Sequence, residues 1–258
     1  DVYKRQGTMK GAAKAAPFAF HTPQDADMNG SSPDTPHALT PEARKQASID
    51  RLKAAGIPYI EHLPMIEAAS EVRVRSAEDI ARRAIACLIA IQAACDRQAG
   101  QYTPETAQWC QELLEQYAID ELTPCEARIL GNGGGEQDVV NMVWKYEAYW
   151  VLLWALGVVD ELDFPDHAID CDFAIQAVAQ HPDFAAFMAT TKLRDIASIL
   201  DEADLIYRYH WACVDARLKQ APMPAGLNPS VVMERHAALN WLIDNDGQDD
   251  WDNPDVST

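Results

Sequence analysis

Four ionisable side chains fall where helical periodicity calls for apolar ones, and they set what chemistry the chain could perform. Laid out at 100° per residue, the stretch around 196–218 has an apolar arc of Ile196, Leu200, Ala203, Ile206, Tyr207, Val214 and Leu218, with His210 and Arg217 near its middle. In the next periodic stretch Arg235 falls between Val231, Leu239 and Leu242. Glu147 sits among Val140, Val143, Trp144, Trp150, Val151 and Trp154, the sharpest anomaly in the chain. A buried charge without a partner costs several kcal/mol, so such groups are expected to find one another. Two readings follow. One is an ion-pair and hydrogen-bond cluster that fixes helix register. The other is a polar cavity in which Glu147 acts as base or anion and the arginines hold an anionic ligand. Snorkelling to solvent stays open for any single member.

A second constellation lies on the same stretch. Asp201, Glu202, Asp204 and Asp215 invite a metal reading, but Asp201, Asp204, Arg208 and Asp215 share a stripe away from the apolar arc. Asp204 and Arg208 stand four apart, the spacing of a surface pair worth about 0.2–0.5 kcal/mol. A helical di-metal site wants Glu-x-x-His motifs, whereas Tyr207 and Met233 stand three residues before His210 and His236. No metal and no cofactor is expected. Trp211, Glu234 and Trp241, on the same two helical patterns, complete the candidate residues. No Gly-x-Ser-x-Gly elbow and no activated cysteine is evident.

The elements that must position these groups start in one way. Thr40-Pro41, Thr103-Pro104, Thr123-Pro124 and Asn228-Pro229 each put a capping residue before a proline at the first helical position. Ser76 with Asp79, and Thr123 with Glu126, have capping-box spacing. Residues 56–64, with Pro58 and Pro64, read as an extended connector. Residues 138–156 read as one very apolar helix closed by Gly157. The stretch 158–192 is less regular, with helical turns near 172–178 and 184–188. GNGGGE at 131–136 lacks the Gly-Lys-Ser/Thr ending of a phosphate loop and no strand precedes it, so it reads as a hinge or loop.

The expected fold is all-α: a single compact domain of about seven or eight helices over 39–245, a disordered arm at 1–38, and an acidic tail at 246–258 that Trp251 could anchor. The arm is rich in Ala, Pro, Gly, Ser and Asp and shows no sustained period; Met9 or Met28 is the expected natural start. A formal charge of −19 disfavours a phosphate-binding surface, and nucleic acid with it. The charge makes a protein partner of basic character the favoured kind. Six cysteines without a CxxC pair read as reduced thiols in a cytoplasmic protein. No apolar run approaches the roughly 18–20 residues of a membrane span.

Five pieces together resemble a known bacterial family: RSAEDIARRAIACL at 75–88, WKYEAYWVLLWALG at 144–157, ILDEADLIYRYHWACVDARL at 199–218, VVMERHAALNWL at 231–242, and the closing WDNPDVST. The family is the one catalogued as domain of unknown function 4272, and the likeness covers most of the chain from about residue 40. Val256 and Ser257 depart from the family's closing pattern. The resemblance implies a helical fold with no established activity, so it transfers no catalytic residue. Two functions from different classes stand: an acidic cytoplasmic protein-interaction domain, which is favoured, and an enzyme or small-anion-binding protein using Glu147, His210, Arg217 and Arg235.

Overall fold

Local chemistry starts the helices. In the computed structural model, which describes residues 39–131, 134–243 and 250–258, every one of the expected caps forms. The hydroxyls of Thr40, Ser76, Thr103 and Thr123 accept the backbone N–H three residues on, at 3.2, 3.1, 3.3 and 3.2 Å. Asn228 accepts from Ser230 N at 3.1 Å. Glu126 completes a capping box by accepting from Thr123 N at 2.9 Å. Each bond satisfies a donor that the first helical turn leaves without a partner. These starts open α1 (Pro41–Ala54), α2 (Ala77–Gln98), α3 (Pro104–Gln116), α4 (Pro124–Leu130) and, far downstream, α10 (Pro229–Ile243). Asp170, Asp183 and Asp195 cap α7 (Cys171–Ala179), α8 (Phe184–Met188) and α9 (Ile196–Leu218) in the same way. Among the described residues there is no strand.

The apolar stretch 138–156 is not one helix. It breaks at Lys145 into α5 (Glu136–Trp144) and α6 (Tyr146–Ala155). The Lys145 N–H bonds back three residues, to Met142 O, instead of four. The Lys145 ammonium group at this break is buried, donates to Trp251 O at 2.8 Å, and lies 3.8 Å from Glu234. Gly157 ends α6 with φ +70°, and a β-carbon there would lie 2.7 Å from Lys192 O. Only glycine satisfies both demands.

Helix α2 is the axis of one half, with α3, α4, α5 and α6 packed around it. Helix α9 is the axis of the other, between α1 and α10, and α10 lies against α6 to join the halves. The connector 57–75 runs over α1 and α9 without regular structure, so its carbonyls need donors. Side chains supply them. Arg44 donates to Ile66 O and Glu67 O at 3.2 and 3.0 Å, Lys45 to Leu63 O at 3.0 Å, and Arg208 to Pro64 O at 3.3 Å. The connector ends on α10, where Arg75 Nε donates to Trp241 O at 2.7 Å. The expected arm at 1–38, two residues of the Gly-rich loop and the start of the acidic tail lie outside the described residues.

Candidate functional site

Glu147 and Arg235 meet. Glu147 Oε2 accepts from Arg235 Nε at 3.1 Å, and Oε1 accepts from Ile169 N at 2.8 Å. Arg235 also donates to Asp163 O at 2.5 Å. Helices α6 and α10 place the two charges, and the loop before α7 folds over them. Burial holds the Glu147 carboxyl above its ordinary range, against the opposing pull of Arg235 and the Ile169 N–H. Every oxygen of the carboxylate is engaged by protein, which is the arrangement of a latch between helices.

His210 does not join that pair. Its Nδ1 lies 2.9 Å from Nδ1 of His236, on α10. The Asn240 amide donates to His236 Nε2 at 3.2 Å and to Asp255 O at 2.7 Å. An accepting Nε2 puts the His236 proton on Nδ1, which then donates to His210. Burial pushes His210 down to about 4 and His236 down to about 3, so both rings are neutral at pH 7. Arg217, expected in the same cluster, lies exposed in the last turn of α9. Its charge nevertheless adds to the depression of His210.

The Asp201–Asp215 stripe is also placed differently from its expected solvent face. Asp204 and Arg208 are fully buried, joined by two bonds of 2.7 and 2.8 Å. They are covered because α1 and the connector pack on this side of α9, a contact that helical periodicity does not encode. Each acid of the stripe has a cation: Asp201 pairs with Arg44 at 3.1 Å, Asp204 with Arg208, and Asp215 with Lys219 at 2.8 Å. Glu202 is half-buried and held high by desolvation. Trp211 is half-buried on α9. Glu234 is buried beside Lys145, and Trp241 is buried edge-on to Trp251 at 5.2 Å. Burial pushes the thiols of Cys95 and Cys213 up to about 12, which keeps them protonated.

Sequence reasoning passed over Arg44, Lys145 and Arg83, and read Glu126 only as a helix cap. Arg83 Nη1 donates to the fully buried Glu126 at 2.6 Å, tying α2 to α4. The signal for Arg83 was its place flanking the apolar side of α2; Arg44 and Lys145 gave none.

The surface divides unevenly. Residues 98–127 and 146–191 contain no Lys or Arg. On them twelve acids are exposed: Glu105, Glu112, Glu115, Asp120 and Glu121 in the first, and seven in the second between Asp160 and Asp183. The two stretches meet where Tyr117 Oη donates to His181 O at 2.8 Å and Gln116 to Pro182 O at 2.8 Å. Trp109 on α3 is 47% exposed and Phe173 on α7 is 57% exposed, two of the few large apolar side chains on the surface.

The described residues therefore form an all-helical domain braced by buried ion pairs. A family model described as domain of unknown function (DUF4272) matches residues 44–254, and the chain belongs to that family. No curated protein matches it, and no solved structure does. No helix among the described residues is long and apolar enough to cross a membrane.

Proposed function

We propose that this is an acidic, cytoplasmic recognition domain that binds a cationic protein partner through the surface of α3 and the 160–183 stretch. The observation that carries this reading is Trp109 and Phe173 standing exposed among twelve exposed carboxylates with no lysine or arginine in either stretch. Exposed aromatics within a charged rim are the usual anchors of a protein interface. Uncompensated charge of one sign speeds the encounter with an opposite partner. The alternative, chemistry at Glu147, His210, Arg217 and Arg235, has less support. Glu147 and Arg235 are used on each other, the histidines are neutral and paired, and Arg217 is exposed in the last turn of α9. The six free thiols fit a reducing compartment.

The test is a charge reversal of Glu112, Glu115 and Asp172 to Lys, with Trp109→Ala made separately. A Lys/Arg-rich peptide titrated against the parent should bind with an affinity that falls as salt rises. Both variants should weaken it while leaving the unfolding curve unchanged. Binding that survives the reversal at low salt sinks the reading.

A further inference from the structure

The aromatic rings of the two acidic stretches, 98–127 and 146–191, differ in what lies over them. Three carry a guanidinium group of the chain itself. Arg97 lies over Tyr102 at 3.9 Å, Arg82 over Phe184 at 4.4 Å, and Arg194 over Trp154 at 4.9 Å. Each of these arginines also donates to a nearby oxygen. Arg97 Nε gives to Ile129 O at 2.7 Å, Arg82 to Ala118 O and Glu78 at 2.8 and 2.9 Å, and Arg194 Nε to Trp154 O at 2.7 Å. Among the described residues no lysine lies over a ring of either stretch; Lys53 and Lys145 lie over Tyr59 and Trp251 instead. A planar guanidinium stacks on a ring while its N–H fork still reaches acceptors to the side, and it sheds water more readily than an ammonium does.

Trp109 and Phe173 are the exposed rings of these stretches, and among the described residues no cation lies over either. Both have acceptors at hand. Glu105 and Glu112 stand one turn to either side of Trp109 on the same face of α3, and both are exposed. Glu112 takes one bond, from Gln108 Nε2 at 3.1 Å, and it falls on Oε1. On α7, Asp172 adjoins Phe173, and Asp170 caps the helix through Oδ1 alone, at 3.0 and 3.3 Å. Phe173 meets Trp150 edge to face at 5.8 Å and is still 57% exposed. A ring with oxygen acceptors beside it is what the chain fills with arginine at Tyr102, Phe184 and Trp154. At Trp109 and Phe173 no arginine among the described residues does so.

We infer that the partner segment taken by this surface is arginine-rich, its guanidinium groups stacked on Trp109 and Phe173 with their N–H groups on the carboxylates around them. This rests on the partner reading above and narrows it, since a surface that answered to charge alone would take lysine as readily.

Two labelled peptides of equal length, alternating Arg-Ser and Lys-Ser, carry the same charge and differ only in the cation. Fluorescence anisotropy at one salt concentration should show the arginine peptide binding the full chain about fivefold to tenfold more tightly. Trp109→Leu combined with Phe173→Leu keeps both positions apolar and every carboxylate in place. It should bring the ratio down to about twofold, the remainder of bidentate pairing, while the lysine peptide loses less affinity than the arginine peptide. Trp109→Leu alone leaves the contact of Phe173 with Trp150 intact and should remove about half of the preference on a logarithmic scale. The inference is overturned, and the partner reading kept, if both peptides bind the parent equally well or if the variants hold the full preference. If neither peptide binds, both fall.

Discussion

Helix α9 carries two pairs of aspartate and cation at the same four-residue spacing, and they have opposite fates. Asp204 and Arg208 are 0% and 2% exposed at the side chain and joined twice, at 2.7 and 2.8 Å. Asp215 and Lys219 make one bond of 2.8 Å, with the lysine 67% exposed. The spacing and the signs of charge are the same, and the guanidinium fork adds a second bond that an ammonium does not make. The cover differs too: α1 and the connector close over the first pair, and the second stands in the last turns of the helix. Spacing decides whether a pair forms, and the cover decides what it is worth. A buried pair cannot lose one member cheaply, because the survivor has no water to return to. An exposed pair can.

The strongest way to break this comparison is Asp204→Asn. It leaves Arg208 buried with one nitrogen already unpartnered, and should cost about 3–5 kcal/mol, read from urea unfolding at two salt concentrations with the same result at both. Arg235→Met extends the contrast to α10, with a loss of about 3–5 kcal/mol at pH 7. Adding Glu147→Gln should recover much of that loss, since the orphaned carboxylate goes with it. The deficit of the single variant should also shrink as pH falls. Burial already raises the Glu147 carboxyl, and removing its cation raises it further. Protonation then relieves the folded state, and the penalty returns as pH climbs through the raised value.

The histidine pair should respond to pH with the opposite sign. Folded, His210 and His236 titrate at about 4 and about 3, below the ordinary 6.5. Above 6.5 the rings are neutral in both states and the pair costs nothing in protons. Below it the unfolded chain binds protons that the folded chain refuses. Stability should therefore fall from pH 6.5 towards 4, by up to about 1.4 kcal/mol per pH unit for each ring. Chemical denaturation at half-unit steps measures the slope, and His210→Phe should make it shallower. The smallest effect belongs to Asp215→Asn, about 0.2–0.5 kcal/mol and vanishing in high salt. A loss as large as that of Asp204→Asn would end the comparison.

Much of the helical frame was legible in the sequence because caps are local. Thr40, Ser76, Thr103 and Thr123 each act within three residues, and a reader of one turn can see them. The cover over Asp204 and Arg208 was not legible, since it depends on where a connector 140 residues upstream comes to lie. The break at Lys145 carries no proline or glycine to announce it; a lysine in an apolar run looks like a residue bound for solvent. The Glu147–Arg235 pairing was visible as two misplaced charges. His210 belongs instead with His236, and Arg217 lies exposed at the end of α9, because wheel arithmetic places a residue on a face without showing what covers it.

The seat of Asp252 has a consequence for the order in which the molecule is made. Its carboxylate accepts from Thr123 Oγ1 at 2.6 Å and from Cys125 N at 2.7 Å, so the first turn of α4 is closed by a residue 129 positions downstream. Trp251, beside it, covers Lys145 and Trp241. During synthesis α4 and the bend between α5 and α6 leave the ribosome long before the residues that finish them. Until those emerge, the Lys145 ammonium lacks the Trp251 carbonyl and Trp241 lacks its neighbouring ring. The nascent chain therefore cannot complete this packing until residues 251 and 252 have emerged, and a chaperone that holds α4 and α5 would act on a segment still waiting for a partner 129 positions downstream.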